Sequence, residues 1–194
     1  MSHKNLIRWE KVVLRTLLAL SVVYVLGLTV VQSVAAQEIV AIAAGGPAQS
    51  NANGGDHSFV ADEYFVGGGD NGAVTATINL TQPGANAAPI GVYQHGRAGV
   101  TTYTIPGLTA GSTNTVLLHF AETYFTATGD REFNVAINGT TVLTNLDIYG
   151  TVGKDAALLE TFNTTANSSG QIVIAFTLGA ANQPVVMGIE VRTN

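Results

Sequence analysis

Short runs in which apolar and polar residues alternate recur along most of this 194-residue chain. In the run over 171–178, four apolar residues fall on one face: Ile172, Ile174, Phe176 and Leu178. Successive side chains of a β-strand point to opposite faces of a sheet, so this pattern predicts a strand buried on one side. The same pattern predicts strands over 38–43, 73–80, 101–106, 114–120, 131–139, 141–148, 171–178 and 184–191. We therefore predict an all-β fold, a β-sandwich or jelly roll.

The segments between these runs are rich in Gly, Asn and Thr, as turns are. Asn138–Gly139 predicts a type I′ hairpin turn, because both residues tolerate a positive φ. Two longer Gly-, Asn- and Ala-rich stretches, 45–58 and 81–89, are predicted to be surface loops at one end of the fold, where binding sites on rigid scaffolds usually lie. Residues 154–162 are either one or two helical turns or a strand.

The first 36 residues differ from the rest in composition. Four Lys and Arg precede an apolar run over 16–36 that closes in small residues. This arrangement is typical of an export signal, cleaved here after Ala36. About 20 apolar residues also suffice to cross a bilayer, so an uncleaved anchor helix is the alternative. In both cases we expect an N-terminal hydrophobic helix and an exported domain over 37–194, either secreted or held at the cell surface.

Charge and motifs exclude several classes of function for residues 37–194. These residues contain four Lys and Arg against 12 Asp and Glu, which disfavours nucleic acid or an anionic membrane surface as a partner. The chain has no Cys, so it has no disulfide, thiolate ligand or thiol nucleophile. No phosphate-binding loop, zinc motif or Gly-x-Ser-x-Gly sequence occurs. We expect no cofactor and no metal.

Two neighbouring aromatic residues, Tyr124 and Phe125, stand where the alternation of the 114–120 run breaks, beside a polar turn over 126–130. Sugar rings present C–H faces that stack on aromatic rings, and a tyrosine adds a hydroxyl group. Adjacent residues of a strand face opposite sides, so both rings can flank one ligand only where the chain has left the strand. The alternative is that one ring fills the core while the other is merely exposed.

Two further groups of residues are candidates for contacting a sugar. Asp62 and Tyr64 precede three glycines, and Tyr93 and Arg97 lie close together in the chain. A carboxylate accepts paired hydroxyl groups, and glycines let the backbone approach a ligand closely. The alternative is that Asp62 caps a turn and Arg97 forms an ion pair, so that both support loops.

A catalytic interpretation would rest on His119 and Glu122, with Asp130 and Arg131 near them in the sequence. Glycoside hydrolysis normally needs two carboxylates about 5–10 Å apart. Four acids are candidates, Asp62, Glu122, Asp130 and Asp147, and no spacing singles out a pair. His119 lies within an apolar strand, so we expect a partly buried side chain with a satisfied hydrogen bond.

Several segments, in their order and spacing, make residues 38–192 resemble the malectin domain. They include "FVADEYFVGGG", "VYQHGRAG", "LHFAETYF" and "GDREFNVAINGTTVL". The resemblance implies a jelly-roll β-sandwich with a carbohydrate pocket formed by loops at one end. In the animal lectin this pocket takes glucose-containing oligosaccharides with α-linkages. The resemblance also implies that the module is non-catalytic.

The resemblance transfers residue by residue. The family's aromatic pair matches Tyr124 and Phe125, and the place of its acidic ligand is held by Asn182, which keeps hydrogen bonding without the charge. A family tyrosine after the arginine of the "YQ-x-x-R" motif is replaced by Ala98, and for another upstream tyrosine the nearest substitute is Tyr64. The expected contacts and loop supports are Tyr124, Phe125, Asn182, Tyr93, Arg97, Asp62 and Tyr64.

Two other functions stay open beside carbohydrate binding. The first is a structural or protein-interaction module at the cell surface, in which the same fold carries a degenerate sugar pocket. The second, least favoured, is a glycoside hydrolase. The expected partner is an oligosaccharide or a cell-surface polysaccharide.

Overall fold

Two β-sheets make up most of the part of the chain that the computed structural model describes, residues 38–50 and 58–194. The predicted signal or anchor over 1–36, its helix and the domain boundary after Ala36 lie outside the described residues. Within the described ranges, none of the helices has the length and apolar character needed to span a bilayer.

The first sheet has five strands and the second has six. The first sheet runs in the order β2 (Val60–Ala61), β1 (Glu38–Ala43), β11 (Gly188–Thr193), β5 (Thr113–Ala121) and β8 (Ala157–Thr165). The second runs in the order β10 (Val185–Val186), β4 (Arg97–Ile105), β9 (Ile172–Ala181), β6 (Glu132–Ile137) and β7 (Thr140–Leu146), with β3 (Phe65–Asp70) also paired to β4. Three short helical segments connect strands: a 3-10 turn (Gly84–Asn86), α1 (Ile90–Tyr93) and α2 (Ile148–Val152).

The core lies between the two sheets. Phe120, on the first sheet, contacts Phe133 and Phe176 on the second, with ring centroids 5.8 and 6.5 Å apart. All three rings are buried, and burying a side chain of this size contributes about 1.5–3 kcal/mol. The prediction of an all-β sandwich is confirmed.

The predicted hairpin turn at Asn138–Gly139 is also confirmed. The turn joins β6 to β7, and its two residues have φ of 48° and 80°. Positive φ at both central positions is what a type I′ turn requires, and its twist matches that of the flanking strands.

Two predicted elements differ from the structure, and of the two alternatives for residues 154–162 the structure has the strand. Residues 73–80 form only a single bridge, between Asn79 and Ala156, although their apolar alternation is kept: Ile78 is buried, and Val74, Ala76 and Leu80 are half-buried. Within the 154–162 segment, residues 157–162 form the first part of β8. The 184–191 run is two strands separated by Met187, whose amide donates to His119 and whose carbonyl accepts from Ala44, so the chain passes from one sheet to the other.

Residues 65–70 form the edge strand β3, although their glycines predicted a loop. Gly67 has φ of 86°, and a Cβ there would lie 2.6 Å from the carbonyl oxygen of Val100. Glycine is therefore what allows this strand to approach β4 so closely. Leu178 was predicted to face inward but is 57 % exposed, since a bulge in the β6–β9 pairing shifts the register beside it.

Candidate functional site

The aromatic pair lies on a turn that begins directly after β5 ends at Ala121. Tyr124 is 73 % exposed, and Phe125 is half-buried. The two rings meet edge to face, with centroids 4.9 Å apart and an interplanar angle of 88°. The chain has left the strand here, so both rings lie on the same end of the sandwich. We call residues 122–131 the aromatic turn.

A buried glutamate holds the aromatic turn in shape. Oε1 of Glu122 accepts hydrogen bonds from the amides of Tyr124 and Phe125, at 2.9 and 3.0 Å. Oε2 accepts one from Nε of Arg131 at 2.6 Å. Because Glu122 is only 1 % exposed and both of its oxygens are engaged, it acts as a support for the two aromatic residues.

The aromatic turn is joined to the β9–β10 turn through Arg131. Its Nη1 donates to the main-chain carbonyl of Gln183 at 2.7 Å, and its guanidinium lies 4.9 Å from the centre of the Phe125 ring. A guanidinium over an aromatic face is attracted by the ring quadrupole. One side chain therefore sets the distance between the aromatic pair and residues 182–183.

Asn182 lies at the tip of the β9–β10 turn. It is exposed, has φ of 56° and accepts a hydrogen bond from the amide of Gln183 on its Oδ1, at 2.9 Å. Asparagine tolerates this left-handed conformation better than most residues. The structure thus brings Asn182 to the same end of the molecule as Phe125.

A cleft of about 570 Å³ adjoins this turn. We call it the Gln183 cleft; its lining is Gly68, Gly69, Asp70, Ala98, Gly99, Val100, Leu178 and Gln183. The exposed side chains of Val100 and Leu178 supply apolar surface, while Asp70 and Gln183 supply polar groups. The volume falls within the usual range for ligand-binding clefts, about 300–1,000 Å³.

Asp62 and Arg97 form a nearly buried ion pair. Arg97 Nε donates to Oδ2 of Asp62 at 2.7 Å, the hydroxyl of Tyr103 donates to Oδ1 at 2.9 Å, and the amide of Gly45 donates to Oδ2 at 2.6 Å. Burial, and next the charge of Asp62, raise the pKa of Tyr103. Asp62 and Arg97 therefore support the loops around β3, which was the alternative to direct ligand contact.

Tyr93 was expected to be a ligand contact or a loop support; it lies in the core with 0 % exposure, which excludes the contact and leaves the support. Its hydroxyl lies 2.8 Å from Nδ1 of His119 and accepts from the amide of Ala88, and burial raises its pKa. Nε2 of His119 lies 2.7 Å from Oε1 of Glu190. The expected satisfied hydrogen bond of His119 is confirmed, and the side chain is fully buried rather than partly.

A family model for the malectin domain matches residues 38–189. The chain belongs to the malectin domain family. The four segments quoted for the resemblance, which fall between residues 59 and 143, lie within this match. No curated protein has a matching sequence.

Solved structures with the same fold include malectin-like ectodomains. The extracellular domain of ANXUR1 from Arabidopsis thaliana is 18 % identical with a TM-score of 0.73, over 81 % of this chain and 48 % of that one. A chain of the complex of the plant peptide RALF23 with FER and LLG2 is 19 % identical with a TM-score of 0.71, over 80 % and 48 %. A β-glucuronidase of Bacteroides uniformis is 19 % identical with a TM-score of 0.61, over 80 % and 18 %. This chain thus spans about half the length of the plant ectodomains that it matches.

Two of the malectin-derived positions have clear places in the structure. Ala98 lines the Gln183 cleft, so the missing tyrosine would have contributed a ring there. Tyr64, 44 % exposed, pairs through its carbonyl with Thr104 at the far end of β3 from the cleft. Tyr64 and Gly69 are five positions apart along this extended segment, a distance of about 15 Å. The structure does not bring Tyr64 together with the aromatic pair.

Sequence reasoning missed three features of this candidate site. Gln183 and Leu178 carry no local signal, because only the bulge and the turn after β9 place them in the cleft. The glycines of β3 were noted as ligand-approaching residues, but not as a strand. Arg131 was noted only beside the catalytic alternative. Among the described residues, no group of three or more His, Cys, Asp or Glu could hold a metal ion.

Proposed function

We propose that this chain is an exported, non-catalytic module that binds carbohydrate at the aromatic turn and the Gln183 cleft. The observation that carries the proposal is the exposed Tyr124 ring, fixed beside Phe125 by a buried carboxylate. Because the carboxylate holds the backbone amides of both aromatic residues, this part of the turn is ordered before a ligand arrives, and its ordering does not have to be added to the cost of binding. Such a ring offers a flat face and a hydroxyl group, as a pyranose requires.

The ligand class that fits best is a neutral, glucose-containing oligosaccharide. The family resemblance implies α-linked glucose in the animal lectin, and the polar groups at this site, Asn182 and Gln183, can both donate and accept. Ala98 in place of a tyrosine removes one aromatic surface. A lost ring contact costs about 1–3 kcal/mol, so we expect weaker binding than a complete site would give.

A non-catalytic role is supported by the engagement of three of the four candidate carboxylates in turns. Glu122 holds the aromatic turn and Asp62 holds the β3 region. Asp147 accepts from the amides of Gly129 and Gly150 at 2.7 and 2.8 Å and so caps α2. A glycosidase would need a free pair of carboxylates facing the sugar.

The test is titration calorimetry of the full chain with α-linked and β-linked glucose disaccharides and longer oligosaccharides, backed by a glycan array. Tyr124→Ala is expected to abolish binding while leaving the thermal unfolding midpoint unchanged. Tyr64→Ala is the control, since it removes another exposed tyrosine that lies outside the site. Equal binding by wild type and Tyr124→Ala would reject the proposed site.

A second candidate function is recognition of a protein or peptide. The solved complex of the plant peptide RALF23 with FER and LLG2 contains a chain with this fold, and that observation favours it. This candidate predicts that the chain binds no glycan on the array. It also predicts that the wild-type chain binds a protein or peptide partner that the Tyr124→Ala variant does not bind. The array therefore separates the two.

Export is part of the proposal as well. An N-terminal sequence beginning at Gln37 would indicate cleavage after Ala36. An intact N-terminus in the membrane fraction would instead indicate the anchor. Recovery of the intact chain from the cytoplasm would reject both forms of export.

A further inference from the structure

A second cleft adjoins the Gln183 cleft at the end of β3. It has a volume of about 410 Å³, and we call it the His95 cleft. Phe65, Ala73, His95 and Arg97 contribute to its lining, and Asp70 lines both clefts. Asp70 is the last residue of β3 and is exposed. The two clefts therefore meet at one acidic residue, whose Oδ1 accepts a hydrogen bond from the amide of Gly72 at 2.7 Å.

The groups that line the His95 cleft suit a neutral molecule rich in hydroxyl groups. Nδ1 of His95 lies 2.9 Å from the carbonyl oxygen of Gly91, which can only accept, so Nδ1 carries the proton. In the neutral ring Nε2 is then an acceptor, and the Asp70 carboxylate is another. Phe65, 37 % exposed, adds part of an aromatic ring.

Charge argues against an anionic ligand in the His95 cleft. The guanidinium of Arg97 is already paired with Asp62 and lies against the Phe65 ring, 3.4 Å from its centre. Asp70 adds a negative charge at the junction. An anion would meet this charge without a free cation in the described lining to balance it, whereas a sugar donates hydroxyl hydrogens to both acceptors.

We propose that the site takes an oligosaccharide long enough to occupy both clefts at once, with Asp70 accepting hydroxyl hydrogens from neighbouring sugar units. This inference rests on the proposed carbohydrate function and extends it to ligand length. A disaccharide fills the Gln183 cleft alone, and additional units reach the His95 cleft past the end of β3.

The experiment measures affinity against chain length by titration calorimetry. The full chain is titrated with α-1,4-linked glucose oligosaccharides of two, four and six units. We expect the tetrasaccharide to bind at least about tenfold more tightly than the disaccharide, which corresponds to about 1.4 kcal/mol. Repeated equivalent positions along the tetrasaccharide would raise affinity only about threefold, because it offers three overlapping two-unit registers where the disaccharide offers one.

Ala73→Trp provides the structural control. Ala73 is exposed and lines only the His95 cleft, so a large side chain there fills the second cleft and leaves the first open. We expect the tetrasaccharide to lose about tenfold in affinity while the disaccharide is unaffected. Ala85→Trp, the same change at an exposed alanine outside both clefts, should alter neither.

The possible outcomes distinguish failure of the two-cleft inference from failure of the proposed carbohydrate binding. Equal affinity for two and four units, or a tetrasaccharide unaffected by Ala73→Trp, overturns the two-cleft site and leaves carbohydrate binding in place. No binding of any sugar on the glycan array overturns the proposed function together with the inference.

Discussion

Glu122 and Arg131 form a nearly buried ion pair, with Oε2 of the glutamate 2.6 Å from Nε of the arginine. Glu122 accepts hydrogen bonds from the amides of the aromatic turn. Arg131 donates to the main-chain carbonyl of Gln183. The position of Tyr124 therefore depends on a charge pair whose two side chains are nearly buried. Removing one partner of a buried pair costs about 3–5 kcal/mol, since the other charge is left without compensation.

Arg131→Lys tests this coupling. Lysine keeps the charge but cannot reach both Glu122 and Gln183 with fixed, planar geometry. We expect sugar affinity to fall about tenfold, measured by calorimetry, and the unfolding midpoint to fall by several degrees. Affinity equal to wild type in a folded variant would show that the arginine does not position the site.

Ala98→Tyr is expected to strengthen sugar binding. It returns a ring to the lining of the Gln183 cleft, and a ring contact contributes about 1–3 kcal/mol, or at least about fivefold in affinity. Ala98→Leu, which adds apolar bulk without a ring, should give a smaller gain. Calorimetry with one disaccharide ranks the three proteins, and a tyrosine variant that binds more weakly than the leucine variant contradicts the prediction.

Tyr93→Phe should destabilise the fold and leave sugar binding unchanged. The change removes a buried hydroxyl and leaves His119 Nδ1 and the amide of Ala88 without this partner. Leaving buried polar groups unsatisfied costs about 1–3 kcal/mol in the free energy of unfolding. Urea unfolding measures the loss, and calorimetry checks that affinity is retained. If the folded variant lost sugar affinity, Tyr93 would have to be counted among the residues on which binding depends.

Glu190 should make the protein less stable in acid. Burial raises the pKa of Glu190, but hydrogen bonding and charge from His119, and then Arg192, outweigh burial and leave the pKa below its usual 4.5. A carboxyl with a depressed pKa in the folded state contributes stability that is present above its unfolded pKa and lost as the pH falls through the folded value. Denaturant unfolding between pH 7 and pH 3 should therefore show falling stability below about pH 4.5. The slope should be smaller in Glu190→Gln, and an unchanged slope would assign the effect to other acids.

Gly68→Ala should loosen the edge strand. Gly68 has φ of 62°, and a Cβ there would overlap Oγ1 of Thr101. Alanine at this conformation costs about 1 kcal/mol or more before the overlap is counted. Gly69→Ala is the matched control, because its Cβ would meet no atom within 4 Å. Hydrogen exchange of the 65–70 amides should rise in the first variant only; equal protection in both would contradict the prediction.

The strands of the core could be predicted from the sequence, because alternating burial is a local property of an extended chain. Ile172, Ile174 and Phe176 are buried as their spacing indicated. The Asn138–Gly139 turn is local in the same sense, since its two residues set φ without help from distant parts of the chain. Leu178 shows where the local rule fails, because a bulge formed with β6 changes its side.

The candidate site could be predicted only in part. Tyr124 and Phe125 were identified because they interrupt an alternating run, and this feature is visible in the sequence. Tyr93 and Arg97 lie in the same stretch and looked similar in chemistry, yet one side chain is in the core and the other is paired with Asp62. Their surroundings come from strands far away in the chain.

The sequence by itself determined the strand-forming runs, the tight turn and the aromatic pair, since each depends on neighbouring residues and on backbone preference. Only the tertiary structure decided that Arg131 would meet Gln183, 52 positions further along, and that Asp70 would stand between two clefts. The physical reason is that strand order and register bring distant segments together, and these are settled by burial of the whole core.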